Sequence, residues 1–217
     1  MNLLSAPIDE IKKIIFYRRN YAEYYKYKKE AEGYKSRLLG MQEVVQENNR
    51  LQRILEFKKS LVYESTVANV IGRNPTYWND FLIIDQGLKR GVNLGMPVIT
   101  SSGVVGKIVE VGNISSKVIL LTDPNFSVAA IVQRSRQQGL LSGSLKGLCR
   151  MQYLPLDTDI KIGDMIITSK LSSAFPEGLA IGEVVNIQRD QDGSLVECLI
   201  RPSVNFAGIE EVVVIKK

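Results

Sequence analysis

The stretch LGMPVITSSGVVGKIVEV, Leu94 to Val111, returns 68 residues further on as IGDMIITSKLSSAFPEGLAIGEVVNI, Ile162 to Ile187. Gly95, Val98, Ile99, Thr100 and Ser101 align with Gly163, Ile166, Ile167, Thr168 and Ser169. After a loop of different length, Gly103, Gly106 and Val109 align with Gly178, Gly182 and Val185. A repeat of about 70 residues accommodates one small β-barrel per copy. Glycines at strand starts and at tight bends let short strands coil into a closed sheet. The stretch therefore predicts two related barrels in tandem.

The surrounding sequence agrees. From Leu61 onward, short runs rich in Val and Ile alternate with turn signals. The strand candidates are SLVYESTVANVIG, DFLIIDQG, MPVITSS, VVGKIVEVG, SKVILLTD, SVAAIVQ, GLLSGSL, CRMQYLP, DMIITS, AIGEVVNIQ, LVECLIRP and EEVVVIKK. RNPT, SSG, TDPN, SGSLKG, FPEG and DQDGS punctuate them. This is the pattern of an all-β body. We expect residues 61–150 to form the first barrel and 151–217 the second, with end strands free to exchange between them.

Residues 1–60 differ in composition. Between Ile8 and Lys59 there is no proline, and Glu, Lys, Arg, Gln, Leu and Tyr dominate. Pro7 followed by Asp9 and Glu10 suits a helix start, because proline fits the first turn and carboxylates favour the positive end of the helix dipole. Met41, Val44, Asn48, Leu51 and Leu55 are spaced 3, 4, 3, 4, the seam of a coiled coil. A lone Asn48 in that seam lowers stability but fixes register and partner number. The expectation is self-association through this helix, as a dimer or a higher assembly. A helix from Tyr21 to Lys58 would be roughly 55 Å long, a stalk more than a core element.

Charge is divided in the same way. Residues 1–60 carry 13 Lys/Arg against 8 Asp/Glu, while residues 61–217 carry 15 of each. A neutral body argues against nucleic acid as a partner. Six of the nine tyrosines lie between Tyr17 and Tyr34 among lysines and arginines, a mixture that a membrane–water interface favours.

The chain has no histidine, which removes Ser-His and Cys-His nucleophile activation and the commonest metal ligand. An enzyme would have to use serine–lysine chemistry, for example Ser169 with Lys170, but neighbours on a strand point to opposite faces. No catalytic, cofactor or metal site is expected. The two cysteines, Cys149 and Cys198, each stay in phase with apolar neighbours of an alternating strand and are expected to be buried thiols.

The hairpin loop of the second copy is enlarged by several residues over TSSGVVG, and it contains Phe175 and Pro176. The sister copy does without them, so an exposed Phe-Pro would be a candidate partner contact, the alternative being Phe175 tucked over the barrel end. Phe206, in the turn-rich VNFAG, is a second candidate of the same kind.

Several stretches together resemble the MreC family of bacterial rod-shape-determining proteins. They are LQRILEFKK, GLKRGVNLGMPVITSSGVVGKIVEVG, SSKVILLTDPNFSVAAIV, GLLSGS, IKIGDMIITS, FPEGLAIGEV and IRPSVNFAGIEEVVVIK. Lys170 departs from the family's usual Thr-Ser-Gly. The resemblance implies a mainly β fold, a coiled-coil helix followed by two six-stranded barrels. It also implies a non-enzymatic scaffold of cell elongation, organising lateral peptidoglycan synthesis. The implied partners are MreD, a class B penicillin-binding transpeptidase, RodA and, indirectly, MreB. Relatives begin with a short cytoplasmic tail and one transmembrane helix, so the resemblance implies an extracytoplasmic chain anchored by a preceding segment. Two tandem barrels are also the plan of trypsin-like proteases, but without histidine that chemistry is absent. A periplasmic adaptor of an efflux or secretion system is the alternative, although adaptors insert a helical hairpin between β-halves and this chain has one helical pass.

Overall fold

Pro7 lies in the first turn of helix α1, Ala6–Ser60, which closes with Lys58 and Lys59 in its last turn at the negative end of the dipole. The Ser60 hydroxyl donates to the Phe57 carbonyl at 2.7 Å. The structure is a computed structural model and describes residues 6–74, 81–144, 147–189 and 196–216, with helix side chains from Tyr21 onward except Ala22. The turns expected at RNPT, SGSLKG and DQDGS lie wholly or partly outside these residues. The chain divides into two units, one ending at Arg53 and one beginning at Ile54.

The second unit carries twelve strands among the described residues. They are β1 Ser65–Arg73, β2 Phe81–Ile84, β3 Pro97–Thr100, β4 Gly103–Val111, β5 Ser116–Leu120, β6 Ser127–Val132, β7 Gln138–Gly143, β8 Cys149–Leu154, β9 Met165–Thr168, β10 Ala180–Arg189, β11 Val196–Pro202 and β12 Glu211–Ile215. Each falls within or overlaps one of the alternating Val/Ile-rich runs. They close into two six-stranded antiparallel barrels, ordered β1-β12-β3-β4-β5-β2 and β10-β11-β8-β7-β6-β9.

The division at residue 150 is therefore corrected. Strands β6 and β7 precede that point and β8 straddles it, yet all three belong to the second barrel, and β12 belongs to the first. The pairings explain why. The second barrel is built from consecutive strands, β6 through β11, with β8 paired to β11 and β6 to β9. The first has the same pairing scheme with β12 in the place of β6, followed by β1 through β5. The second barrel is thus inserted into the first, whose opening strand is supplied by the end of the chain.

The repeat seen in the sequence is the matching pair β3-β4-β5 and β9-β10-β11. Gly95 and Gly163 both take a positive φ, 78° and 91°, at the turn entering the repeat. Gly106 and Gly182 both sit where the neighbouring strand's carbonyl passes: an added Cβ would lie 1.9 Å from Ile119 O and 2.1 Å from Arg201 O. No larger residue fits there without parting the strands.

One continuous core runs through both barrels, from Leu82, Ile84 and Val118 to Met151, Cys198 and Ile200. Strand β12 is apolar on both faces. Val212 and Val214 point into that core, while Val213 and Ile215, with Ile99 of β3, pack outward against Ile54, Phe57 and Leu61. The end of α1 thus covers the outer wall of the first barrel, which accounts for the uninterrupted EVVVI run.

Candidate interaction surfaces

The helix seam is exposed in the single chain. Met41 is 67% and Val44 68% accessible, and Asn48, Leu51 and Leu55 are also exposed. Leu55 points away from the barrel wall that its neighbours Ile54 and Phe57 cover.

The enlarged loop corrects the partner-contact reading of Phe175 and takes the alternative, with the ring tucked inward. Phe175 is only 3% exposed. Its ring stands edge-on to Phe126 at 5.9 Å and 74°, and the Lys107 ammonium lies 5.5 Å from the other ring's centroid. Phe126 belongs to the link between β5 and β6, so Phe175 seals the junction of the two barrels. Thr168 anchors the loop: its hydroxyl donates to Pro176 O at 2.6 Å and accepts from Leu179 N at 2.9 Å. Ser173 and Ala174 of the loop line a hollow with Asn93–Pro97 of the first barrel. The extra residues are needed to reach over the sister barrel. The first copy's hairpin stays short for the converse reason: a Cβ at Gly103 would lie 2.3 Å from Ala180 O.

Phe206 is corrected likewise, at 7% exposure. It lies in the return from β11 to β12 with Val204 and Ile209, all three buried. The Arg73 guanidinium donates to the carbonyls of Phe206 and Ile209, and the Asn205 side chain accepts from Ala207 N at 3.2 Å. The apolar spacing Val204, Phe206, Ile209 in an otherwise small and polar segment was the available signal for burial. Pro176 is half-buried, and the loop's exposed apolar residue is Leu171. Sequence reasoning did not single out Leu171.

Ser169 is buried and accepts from Leu171 N at 3.2 Å, whereas Lys170 is exposed and pairs with Glu177 at 3.5 Å. Among the described residues each side chain is engaged with a different partner, Leu171 N and Glu177. Cys149 and Cys198 are free and buried. Cys149 faces Ile200 and Cys198 faces Met151 across the β8–β11 ladder, so the thiols are offset along the strands. Burial pushes the Cys149 thiol up to about 12 and, aided by the nearby Glu197 and Asp164 charges, the Cys198 thiol up to about 11.

Among the described residues, Arg134 joins Asp159 and Asp164 in one ionic cluster. The guanidinium holds Asp164 through two bonds, at 2.9 and 2.8 Å, and Asp159 through two more. Lys161 N donates to Asp164 at 2.9 Å. The Arg134 hydrogen bonds hold both carboxyls below the usual range. This cluster fastens the β6–β7 turn to the segment entering β9. Among the described residues no helix is long and apolar enough to cross a membrane.

The family described as "Rod shape-determining protein MreC, barrel core" matches residues 70–216, which takes in eleven of the twelve strands in full and the end of β1. The chain belongs to the MreC family. The cell shape-determining protein MreC of Listeria monocytogenes is 36% identical over 177 residues, 79% of this chain and 60% of that protein. MreC of Escherichia coli is 31% identical over 169 residues, 77% of this chain and 46% of that protein. The chain thus spans about half of the length of these MreC relatives. A solved structure of MreC superposes with a TM-score of 0.73 at 27% identity, covering 80% of this chain and 99% of that one. The same fold, at 13% identity and a TM-score of 0.58, occurs in a complex between penicillin-binding protein (PBP2) and MreC from Helicobacter pylori. None of these MreC proteins supports the efflux or secretion adaptor alternative.

Proposed function

We propose that this chain is a non-enzymatic scaffold of cell elongation, which maintains rod shape by organising lateral peptidoglycan synthesis outside the cytoplasmic membrane. Its class B penicillin-binding transpeptidase is a direct partner, MreD and RodA are further ones, and MreB is an indirect one. Membership of a family named for cell-shape determination carries the reading. Two features support it: a pair of barrels sharing one core and a helix with an exposed apolar seam. The helix dimerises through Met41, Val44, Asn48, Leu51 and Leu55, and a preceding segment anchors the chain to the membrane. Pro176 stays a contact candidate at the edge of the enlarged loop.

The test is capture of the transpeptidase ectodomain from the same cell by the immobilised chain, together with replacement of the cell's own copy by a membrane-anchored version. The scaffold reading expects a complex and retained rods. Absence of a complex, with rounded cells despite normal expression, would overturn it.

A further inference from the structure

We propose that the outer face of the second barrel carries a binding pocket for the free C-terminal carboxylate of a peptide whose last side chain is aliphatic. The pocket is independent of the scaffold reading. It has a volume of about 310 Å³ and opens between the β6–β7 turn, the end of β9 and the enlarged loop. A volume of this order holds one or two residues of a peptide. Ile131 and Ile167, paired directly across β6 and β9, give it an apolar floor.

Charge decides which end of a peptide fits. Arg136 lines the pocket, and among the described residues its guanidinium has no ion pair or hydrogen bond. Lys170 lines it too, paired with Glu177 at 3.5 Å, both side chains being more than half exposed. Such a pair holds its partners weakly. Two cations against one carboxylate leave room for a second carboxylate, and a guanidinium fork matches that group with two parallel hydrogen bonds. The backbone that carries the exposed Arg136 side chain is fixed. Arg136 takes φ 62°, uncommon for a residue with a side chain, and is held there by its N–H on Val132 O at 2.9 Å and by Val132 N on Gln137 O at 2.8 Å. Strands β6 and β9 are already paired with each other, so a ligand cannot add as a strand. Recognition falls to the carboxylate and the last side chain, which selects a chain end over an internal segment.

The experiment titrates the 217-residue chain with acetyl-Gly-Ala-Leu as the free acid, as its C-terminal amide, and as acetyl-Gly-Ala-Lys free acid, read by calorimetry at low and high salt. The free Leu acid is expected to bind. Amidation should weaken it by about tenfold or more, since a charge-assisted bidentate contact is lost. The Lys-terminated peptide should bind more weakly than the Leu peptide, and salt should weaken binding of the free acids. Arg136→Asn removes the charge while suiting the left-handed turn better than most residues, so it should abolish binding with the melting temperature kept. Lys170→Gln, at a turn position that needs no positive φ, should weaken binding on its own. No binding up to about 10 mM, equal binding of acid and amide, or unchanged binding in both variants would overturn the proposal.

Discussion

Phe175 sits among serines on a loop, and nothing within a turn of it announces a core residue. Its partner Phe126 is remote in sequence and reached only when the two barrels meet. Comparing the two copies of the repeat revealed the extra residues but not their direction, because the surface they cover belongs to the other barrel. Phe175→Ala should lower stability by about 3–5 kcal/mol in chemical denaturation, as for any buried phenylalanine, and a change near zero would place the ring outside the core. The thiols were legible from alternation alone. At neutral pH both are protonated and covered, so Cys149 and Cys198 should resist a thiol reagent in the native protein and react once it is unfolded. Asp164 sets an acid limit. Its folded carboxyl is held below the unfolded range by Arg134, so its contribution is complete above about pH 4 and lost as pH falls through the depressed folded value. Asp164→Asn should flatten the acid limb of the melting-temperature profile below about pH 4 while lowering stability at neutral pH. An unchanged acid limb would show that the pairing contributes nothing.

Elements were the most readable level. Strand runs with period-two alternation and glycine-marked turns led directly to β1 through β12, and Pro7 to the start of α1. The helix needs two faces at its end, and a single heptad register describes only one of them. Ile54 and Phe57 lie on the barrel wall, while Leu51 and Leu55 remain for a partner. Lysines at positions 51 and 55 should therefore yield a monomer in sedimentation with the barrel melting transition unchanged, because neither residue touches the second unit's core. If the sedimenting species is the same before and after, the seam lies elsewhere on the helix. Phe57→Ala is the complementary change. It should destabilise the barrels, uncovering Val213 and Ile215, and leave association intact.

At the scale of the molecule, the repeat disclosed that there are two barrels but not which strand belongs to which. Assignment rests on pairings such as Ser65 with Ile215, between opposite ends of the body, and no local pattern carries that information. Removing residues 211–217 should unfold the first barrel and, through the shared core, weaken the second; a soluble truncated chain with a native melting temperature would contradict this. The same nesting also orders events in time. A chain emerging from the ribosome completes every strand of the inner barrel at Pro202, while β1 and β3 wait with unpaired backbone for a strand not yet made. An interrupted product ending between Pro202 and Glu211 has one finished barrel and one with two bare edges, the kind of surface that aggregates and that proteases enter. Both edges are hidden only once β12 has been made and has paired with β1 and β3.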